Sequence, residues 1–462
     1  MYFLKRRTLQ HKKITVTAMK TLIHGALLVN EGRKERKDLL IENDRIVKIA
    51  ADLTKESYDV LIDGAGKVLL PGVIDDQVHF REPGLTHKGD IESESRAAVA
   101  GGITTFIDQP NTQPTATTLE RLEEKFTRAS EVSYANYSFM MGGTNDNLQE
   151  LLKTNPKKVA GIKLFLGSST GNMLVDDPRV IEELFAKVKL LIAVHCEDES
   201  TIRQNTKDMV EKYGDDIPME MHPVIRSEEA CYKSSSKAVE LAKKTGARLH
   251  VFHLSTEKET HLFDNTLPLK EKKITAEVCV HHLWFSDKDY ASKGSKIKWN
   301  PAVKKESDRE GLWKALLDGR IDVVATDHAP HTLEEKSQSY LKAPSGGPLV
   351  QHSLCMMLEK HLEGKISLEL LVEKMCHNPA VLFEIKDRGF LREGYKADLV
   401  LVDLDSPWQV EKENILYKCR WSPLEGTFLK SRVTHTFVNG QLVYKEGELL
   451  GEAQGERLEF NR

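Results

Sequence analysis

The segment Val323-Val-Ala-Thr-Asp-His-Ala-Pro-His331 is an apolar run that ends in one acid and two imidazoles. A buried parallel strand has this continuous apolar texture, and a β/α barrel carries its chemistry at the carboxyl ends of such strands. The segment therefore predicts a barrel strand that delivers Asp327 to the barrel mouth, with His331 just beyond it.

Other segments along the chain have the same form, an apolar run with a group able to bind a metal. They are Pro71-Gly-Val-Ile-Asp-Asp-Gln-Val-His-Phe-Arg81, Gly161-Ile-Lys-Leu-Phe-Leu166, Leu191-Ile-Ala-Val-His195 and His250-Val-Phe-His253. A lone strand histidine is more often a core or surface group, and a lone lysine usually reaches solvent. As a set on regularly spaced strands, they predict a metal-dependent hydrolase.

Strand-like and helix-like stretches alternate through the middle of the chain. The predicted strands are 71–80, 104–110, 137–142, 161–166, 191–197, 249–255, 274–280 and 321–327. Amphipathic stretches separate them, among them 119–129, 178–188, 235–245 and 309–318. Eight strands with intervening helices predict an α/β protein with a (β/α)8 TIM-type barrel.

The two ends of the chain share a different texture of short alternating runs and turns. Asn439-Gly440 between two such runs is a strong hairpin signal. The ends are predicted to pair into a small β-sandwich domain. The expected boundaries are a disordered basic leader at 1–19, sandwich parts at 20–70 and 389–450, the barrel at 71–388 and a tail at 451–462.

Composition restricts the partners. A formal net charge of −4 gives no reason to expect nucleic acid, and no run approaches the roughly eighteen apolar residues of a membrane span. The six cysteines are scattered without a Cys-x-x-Cys pair, which favours a reducing cytoplasm. A small-molecule substrate is expected, and a homo-oligomer stays open.

Histidine nitrogens and carboxylate oxygens are natural zinc ligands, and an open coordination position lets zinc activate water. His79, His195, His253 and Asp327 would supply them from four strands. Two metals held together need an anion between them. The Lys163 amine could provide one only after carbon dioxide has converted it to a carboxylate. Asp327 can also take a proton from the attacking water and hand it to the leaving nitrogen.

These motifs together resemble those of a known family, the long, barrel-plus-sandwich dihydroorotases of the amidohydrolase superfamily. The motifs are His79-Phe-Arg-Glu-Pro-Gly84, Gln109-Pro-Asn-Thr112, Gly161-Ile-Lys-Leu164, Val194-His195, His253, Ala325-Thr-Asp-His-Ala-Pro-His331 and Trp421-Ser-Pro-Leu-Glu-Gly426. The similarity runs from about Met19 to Leu450. It implies reversible cyclisation of N-carbamoyl-L-aspartate to L-dihydroorotate in pyrimidine biosynthesis.

The resemblance also implies roles for individual residues. Lys163 would be the N6-carboxylated bridge between zinc ions, and Asp327 the catalytic base. Substrate would be held by Arg81, Asn111, Asn300 and His331, with Gly346 and Gly347 in a loop that closes near it. Arg81 suits a ring carboxylate, because a guanidinium clamps it with two parallel hydrogen bonds. Similar hydantoin and allantoin hydrolases do not favour arginine at this position.

One position departs from the family pattern, which has His-x-His where this chain has Gln77-Val78-His79. An amide is a poorer zinc ligand than imidazole. Three alternatives follow: two metals with Gln77 or water filling the gap, one tightly held metal, or an inactive scaffold. Asp76 is expected to face the opposite side of the strand from the site, and His281-His282 to be structural. A related cyclic amidohydrolase with another ring substrate is the remaining alternative.

Overall fold

The structure is a computed structural model that describes residues 19–167 and 173–462. Apart from Met19, the basic leader lies outside the described residues. The barrel and the chain-end domain are both present, so the predicted fold class is confirmed.

The two ends of the chain meet in one mixed sheet of nine described strands, five from the first end and four from the part of the chain after the barrel. From the first end come β1 (Lys20–Asn30), β2 (Arg33–Glu42), β3 (Arg45–Ala50), β4 (Val60–Asp63) and β5 (Val68–Pro71). The join is the antiparallel pairing of β5 with β14 (Leu399–Asp403), which places Leu69 opposite Leu401. This sheet encloses its own apolar cluster, including Ile23, Leu39 and Leu399.

The barrel consists of eight parallel strands among the described residues, in sequential spatial order. They are β6 (Val73–Val78), β7 (Ile103–Asp108), β8 (Asn136–Gly142), β9 (Gly161–Phe165), β10 (Ile192–His195), β11 (Leu249–Val251), β12 (Ile274–Cys279) and β13 (Val323–Ala325). Each overlaps a predicted strand. The ring closes where the His79 amide donates to the His328 carbonyl at 2.7 Å, beside a parallel bridge from Val78 to His328.

The remaining strands follow the barrel. They are β14 (Leu399–Asp403), β15 (Trp408–Gln409), β16 (Phe428–Leu429), β17 (Arg432–Val438), β18 (Gln441–Lys445) and β19 (Glu448–Leu449). The turn between β17 and β18 is formed by Asn439 and Gly440, both at positive φ, as the hairpin signal predicts.

Helices cover the outside of the barrel and fill its connections. They are α1 (Ile91–Ala100), α2 (Leu119–Val132), α3 (Leu148–Leu151), α4 (Pro178–Lys187), α5 (Glu199–Tyr213), α6 (His222–Ile225), α7 (Glu228–Thr245), α8 (Glu257–Thr260), α9 (Val280–Trp284), α10 (Tyr290–Lys293), α11 (Glu306–Leu317), α12 (Leu333–Lys336), α13 (Ser353–Leu362), α14 (Leu368–Val372) and α15 (Asn378–Leu382). The four predicted amphipathic stretches lie within or across α2, α4, α7 and α11. Among the described residues, no helix is both long enough and apolar enough to cross a membrane.

The end of the barrel opposite the site is closed by side chains from outside the barrel strands. Phe383, Leu458 and Phe460 pack into one buried cluster with Ile74 and Val323 of the first and last barrel strands. The segment 455–462 reaches this cluster by backbone hydrogen bonds, including Leu458 N to Tyr137 O at 2.9 Å. Residues 451–462, predicted only as a tail, thus form part of the packed structure.

Candidate active site

A cavity of about 370 Å³ opens at the carboxyl ends of the barrel strands. It gathers residues that are far apart in the sequence and that the sequence motifs predict to form the site. They are His79, Arg81, Asn111, Lys163, His195, His253, Asn300, Asp327, His331 and Gly346. Gly347 lies behind Gly346, where an added Cβ would meet the Trp299 ring at 2.6 Å.

His79 is held in one tautomer by its neighbours. Its Nδ1 lies 2.7 Å from Asn111 Oδ1, which accepts the Nδ1 proton. The Nε2 lone pair then faces the Asp327 carboxylate, whose Oδ1 is 3.1 Å away. An imidazole lone pair and a carboxylate oxygen face each other in this way when both bind the same cation, so His79 and Asp327 are placed as two metal ligands. The assignment leaves the Asn111 amide free to donate toward the cavity.

His195 and His253 form the other half of the site. His195 Nε2 donates to Glu197 Oε2 at 3.0 Å, which leaves the Nδ1 lone pair 3.0 Å from His253 Nε2. Burial lowers the pKa of both rings, that of His253 well below its usual range, so the neutral form able to bind a metal is favoured. Two converging imidazole nitrogens fit a zinc ion.

Glu197 fixes the orientation of His195 from behind. Burial raises its pKa, but the Arg226 guanidinium and His195 outweigh this and lower the pKa to about 2. Arg226 and Glu197 form a close ion pair. Glu197 is therefore a carboxylate at neutral pH, a partner typical of metal-binding histidines. Glu197 was not among the predicted site residues, although an acid two residues after His195 was a usable signal.

Lys163 projects into the cavity from β9 and is almost wholly buried. Its Nζ lies 4.0 Å from the centre of the Phe252 ring and 4.9 Å from that of Phe165. Burial lowers the pKa of Lys163 to about 7, against the opposing effect of the Glu277 and Asp327 charges. A large fraction of the amine is thus uncharged and nucleophilic near neutral pH.

Gln77 lines the cavity next to His79 and contacts Asp327 directly. Its Nε2 donates to Asp327 Oδ1 at 3.4 Å, and its Oε1 accepts from the Cys279 thiol at 3.6 Å. The Gln77 amide therefore fills this part of the cavity wall and holds the Asp327 carboxylate.

Arg81 and His331 lie together on the wall of the cavity. The Arg81 Nε donates to the Pro330 carbonyl at 3.0 Å, and its Nη2 lies 3.0 Å from His331 Nε2. Burial lowers the pKa of Arg81 to about 10, which still leaves it charged at neutral pH. A buried, fixed guanidinium is suited to an anionic ligand.

Three residues of the cavity have left-handed backbones that only glycine adopts without strain. They are Arg81 at φ +71°, His253 at φ +40° and Asp327 at φ +47°. Each stands where a strand gives way to a loop. Strain of this kind costs about 1–3 kcal/mol per residue and persists only where surrounding contacts enforce it.

Lys88, Gln113 and Phe165 also line the cavity and were not selected from the sequence. Lys88 Nζ lies 3.1 Å from His331 Nδ1, so a second cation stands near Arg81. Lys88 comes from the irregular segment after β6, where residue periodicity gives no signal of direction.

The expectation that Asp76 faces away from the barrel interior is wrong. Asp76 Oδ2 lies 3.3 Å from His250 Nε2, and His250 belongs to β11, which is not a neighbour of β6 in the sheet. The contact therefore crosses the barrel interior. Strict alternation fails because the pairing of β6 with β7 shifts register between Asp75 and Val78.

His281 and His282 are both buried and lie behind the cavity wall. His281 stacks on Trp299 with ring centres 4.3 Å apart, and the Trp299 Nε1 donates to the Asp327 carbonyl. Such contacts agree with the structural role expected of these histidines.

Comparison with known proteins assigns the class. Residues 68–443 match the amidohydrolase family. Since this match covers most of the chain, the protein belongs to the amidohydrolase family.

Within that family the chain groups with dihydroorotases. It is 32% identical over 443 residues to a dihydroorotase of Pyrococcus abyssi, covering 95% of this chain and 98% of the relative. It is 33% identical to one of Staphylococcus epidermidis, covering 93% and 100%. Among solved structures, an L-hydantoinase of Arthrobacter aurescens superposes with a TM-score of 0.91 at 29% identity, covering 95% of this chain and 99% of that one.

Proposed function

We propose that this protein is a dihydroorotase that reversibly cyclises N-carbamoyl-L-aspartate to L-dihydroorotate in de novo pyrimidine biosynthesis. The supporting observation is its full-length similarity to dihydroorotases, with a charged Arg81 facing the same cavity as the metal-binding set. A hydantoin ring has no carboxylate for this guanidinium to bind.

Zinc is the metal that best fits the donors of this cavity. His79, Lys163, His195, His253 and Asp327 would hold it, because imidazole nitrogens and carboxylate oxygens are its preferred ligands and those here already converge. When bound, zinc polarises the ring amide carbonyl and makes water acidic enough to attack near neutral pH. One or two ions remain compatible with Gln77 in place of the family histidine.

Lys163 is proposed to carry an N6-carboxylate that bridges two ions. Carbon dioxide would add to the uncharged amine, which loses one proton to solvent, and burial supplies that amine by lowering the pKa of Lys163 to about 7. The product is a carboxylate in a position where a lysine ammonium would only repel cations.

Substrate binding is assigned to the remaining cavity residues. Arg81 would clamp the ring carboxylate while the Asn111 amide donates to it. Asn300 Oδ1 is buried without a hydrogen-bond partner among the described residues, so it can accept from a ring N–H. His331 and the loop at Gly346 and Gly347 would close the far side.

Asp327 is proposed to move the proton. Gln77 donates to its carboxylate beside His79 in the cavity, where Asp327 would accept a proton from the attacking water and deliver it to the leaving nitrogen. The left-handed backbone at Asp327 fixes this direction.

The protein is further proposed to act in the cytoplasm. All six of its cysteines are unpaired, five of them buried, as expected where thiols stay reduced. A homo-oligomer is compatible with this proposal.

The test is steady-state hydrolysis of L-dihydroorotate by zinc-supplied protein, with hydantoin, allantoin and dihydrouracil as competing substrates. We expect turnover of dihydroorotate at a kcat/KM well above that of the others, abolished by chelation. Asp327→Asn should lower kcat by about 10²–10⁴-fold. A preference for hydantoin or allantoin would replace this proposal with another ring substrate, and folded, zinc-loaded protein without any turnover would make it a scaffold.

A further inference from the structure

A second group of metal-capable side chains lies deeper in the barrel than the active site. Asp76, His250 and Glu277 come from β6, β11 and β12, and all three are fully buried. Asp76 and His250 each precede a proposed zinc ligand, His79 or His253, by three residues. The group therefore occupies the layer below the cavity, toward the amino ends of the strands.

Hydrogen bonds fix the tautomer of His250. The Thr275 hydroxyl donates to the Leu249 carbonyl at 3.2 Å, so its oxygen accepts the proton on His250 Nδ1, 2.8 Å away. The Nε2 of the neutral ring then carries a lone pair, directed at two carboxylate oxygens. The lone pair and the two carboxylate oxygens repel one another unless a cation lies among them. The hydrogen bond from His250 Nδ1 to Thr275 is the kind of contact that usually orients a metal-binding histidine.

The spacing of these atoms suits a small divalent cation. His250 Nε2 is 3.3 Å from Asp76 Oδ2 and 3.6 Å from Glu277 Oε2, and the three ligand atoms lie within 4.8 Å of one another. Ligands about 2.0–2.2 Å from a tetrahedral zinc are separated by roughly 3.3–3.6 Å.

The proposed ligand atoms make no hydrogen bonds within the part of the chain that the structure describes. Among the described residues, both Asp76 oxygens, Glu277 Oε2 and His250 Nε2 lack a hydrogen-bond partner. Buried charged oxygens without partners are costly, so each points to something that binds there. Glu277 Oε1, in contrast, is committed to the His253 amide at 3.1 Å.

We propose that Asp76, His250 and Glu277 form a buried cation site for a zinc-class divalent metal, separate from the catalytic metals. Two carboxylates and a neutral imidazole neutralise such an ion completely. The Cys279 thiol contacts both Glu277 and Gln77, so the site adjoins the floor of the active-site cavity. An ion there fixes three strands to one another beneath the catalytic residues.

A proton on His250 is the competing occupant. Although burial lowers the pKa of His250, Asp76 and Glu277 raise it to about 9, because they favour any positive charge at that point. The number of zinc ions retained per chain distinguishes a bound metal from a proton on His250.

The experiment counts zinc in protein whose catalytic site is disabled by His195→Asn and His253→Asn. The full chain is loaded with zinc, dialysed against metal-free buffer and analysed by elemental emission, and folding is checked by circular dichroism. We expect one retained zinc per chain, lost when either Asp76→Asn or Glu277→Gln is added. The matched control is Asp75→Asn, since Asp75 is equally buried but bonds to the Thr326 hydroxyl at 2.6 Å, and it should retain the ion.

A folded, disabled protein without zinc would overturn the proposal, as would zinc that survives both Asp76→Asn and Glu277→Gln. If one of these variants fails to fold, the other decides. A second readout is cobalt(II) loaded in place of zinc, whose visible absorption should disappear with Glu277→Gln. Neither readout uses turnover, so the result is independent of whether dihydroorotate is the substrate.

Discussion

At the scale of single residues, the site depends on buried groups whose protonation is set by their surroundings. Lys163 and His253 lose affinity for protons because they are buried, whereas Glu197 stays ionised because Arg226 faces it. At neutral pH the site therefore holds a neutral His253, a Lys163 amine that is partly uncharged, and an ionised Glu197 behind His195. Neutral nitrogens are the form that binds a metal.

Arg81→Lys tests the assignment of the ring carboxylate. Lysine keeps the charge but loses the planar fork, and a hydrogen bond to a charged group contributes about 1.5–3 kcal/mol. We expect kcat/KM for L-dihydroorotate to fall roughly 10- to 100-fold, mostly through KM. Residual turnover of a ring without a carboxylate should be unaffected, and an equal loss for both substrates would contradict the role.

Metal loading should depend on pH through Lys163. With a pKa of about 7, its uncharged fraction rises from about one-tenth at pH 6 to about nine-tenths at pH 8. Zinc uptake by metal-free protein in bicarbonate should rise across this window and level off above it. Lys163→Ala should remove the bicarbonate dependence, and uptake independent of bicarbonate in the unmodified protein would argue against carboxylation.

The sequence predicted the ends of strands better than their middles. His79, His195, His253 and Asp327 were identifiable because each ends an apolar run, and all four line the cavity. Glu277 lies within a predicted strand. The sequence of a buried strand does not show whether a single acidic side chain points into the barrel or outward, because that depends on the strands opposite it. The direction of Asp76 depended on a register shift, which no two-residue alternation can reveal.

At the scale of elements, the loop at 344–347 is anchored rather than loose. The buried Lys336 Nζ donates to the carbonyls of Pro344 and Gly346, and the Gly346 amide donates to the Lys298 carbonyl. The loop thus presents the Ser345 carbonyl to His331 at a fixed distance of 3.0 Å. Neither lysine was selected from the sequence, because a lysine is ordinarily expected at the surface.

Gly346→Ala tests this loop. Gly346 has φ +125°, and an added Cβ would lie 2.6 Å from the Ala329 carbonyl and 3.2 Å from His331 Nε2. We expect KM for L-dihydroorotate to rise roughly tenfold, equivalent to about 1.4 kcal/mol, as the loop and His331 shift.

The matched control is Gly364→Ala, at φ +77° with nothing within 4 Å of the added Cβ. It should cost about 1–2 kcal/mol of stability and leave KM unchanged. Equal KM values for the two variants would show that the loop does not contact substrate.

At the scale of the whole molecule, the barrel is closed at both ends by different means. The site occupies one end, and segment 455–462 covers the other with Leu458 and Phe460. The sequence predicted the barrel from its periodic strands, but not this closure, because a short segment without periodicity shows no packing partner.

Phe460→Ala measures the contribution of this closure. Phe460 is buried, and loss of a buried phenylalanine costs about 3–5 kcal/mol. We expect the urea midpoint to fall accordingly while KM stays unchanged, because the substitution lies at the far end of the barrel. Phe428→Ala is the control, since Phe428 is 71% exposed and should change stability by less than about 0.5 kcal/mol. Equal midpoints would show that the segment is only loosely attached.

The pairing of β5 with β14 has a consequence for biosynthesis. When β1 and β5 leave the ribosome, the strand that completes their sheet has not been translated, and the entire barrel must be made first. Until then the edge of β5 is exposed, and an unpaired strand edge is a site of aggregation. The nascent chain should therefore depend on chaperones from its earliest strands onward, and premature termination within the barrel should leave aggregates rather than a soluble half-protein.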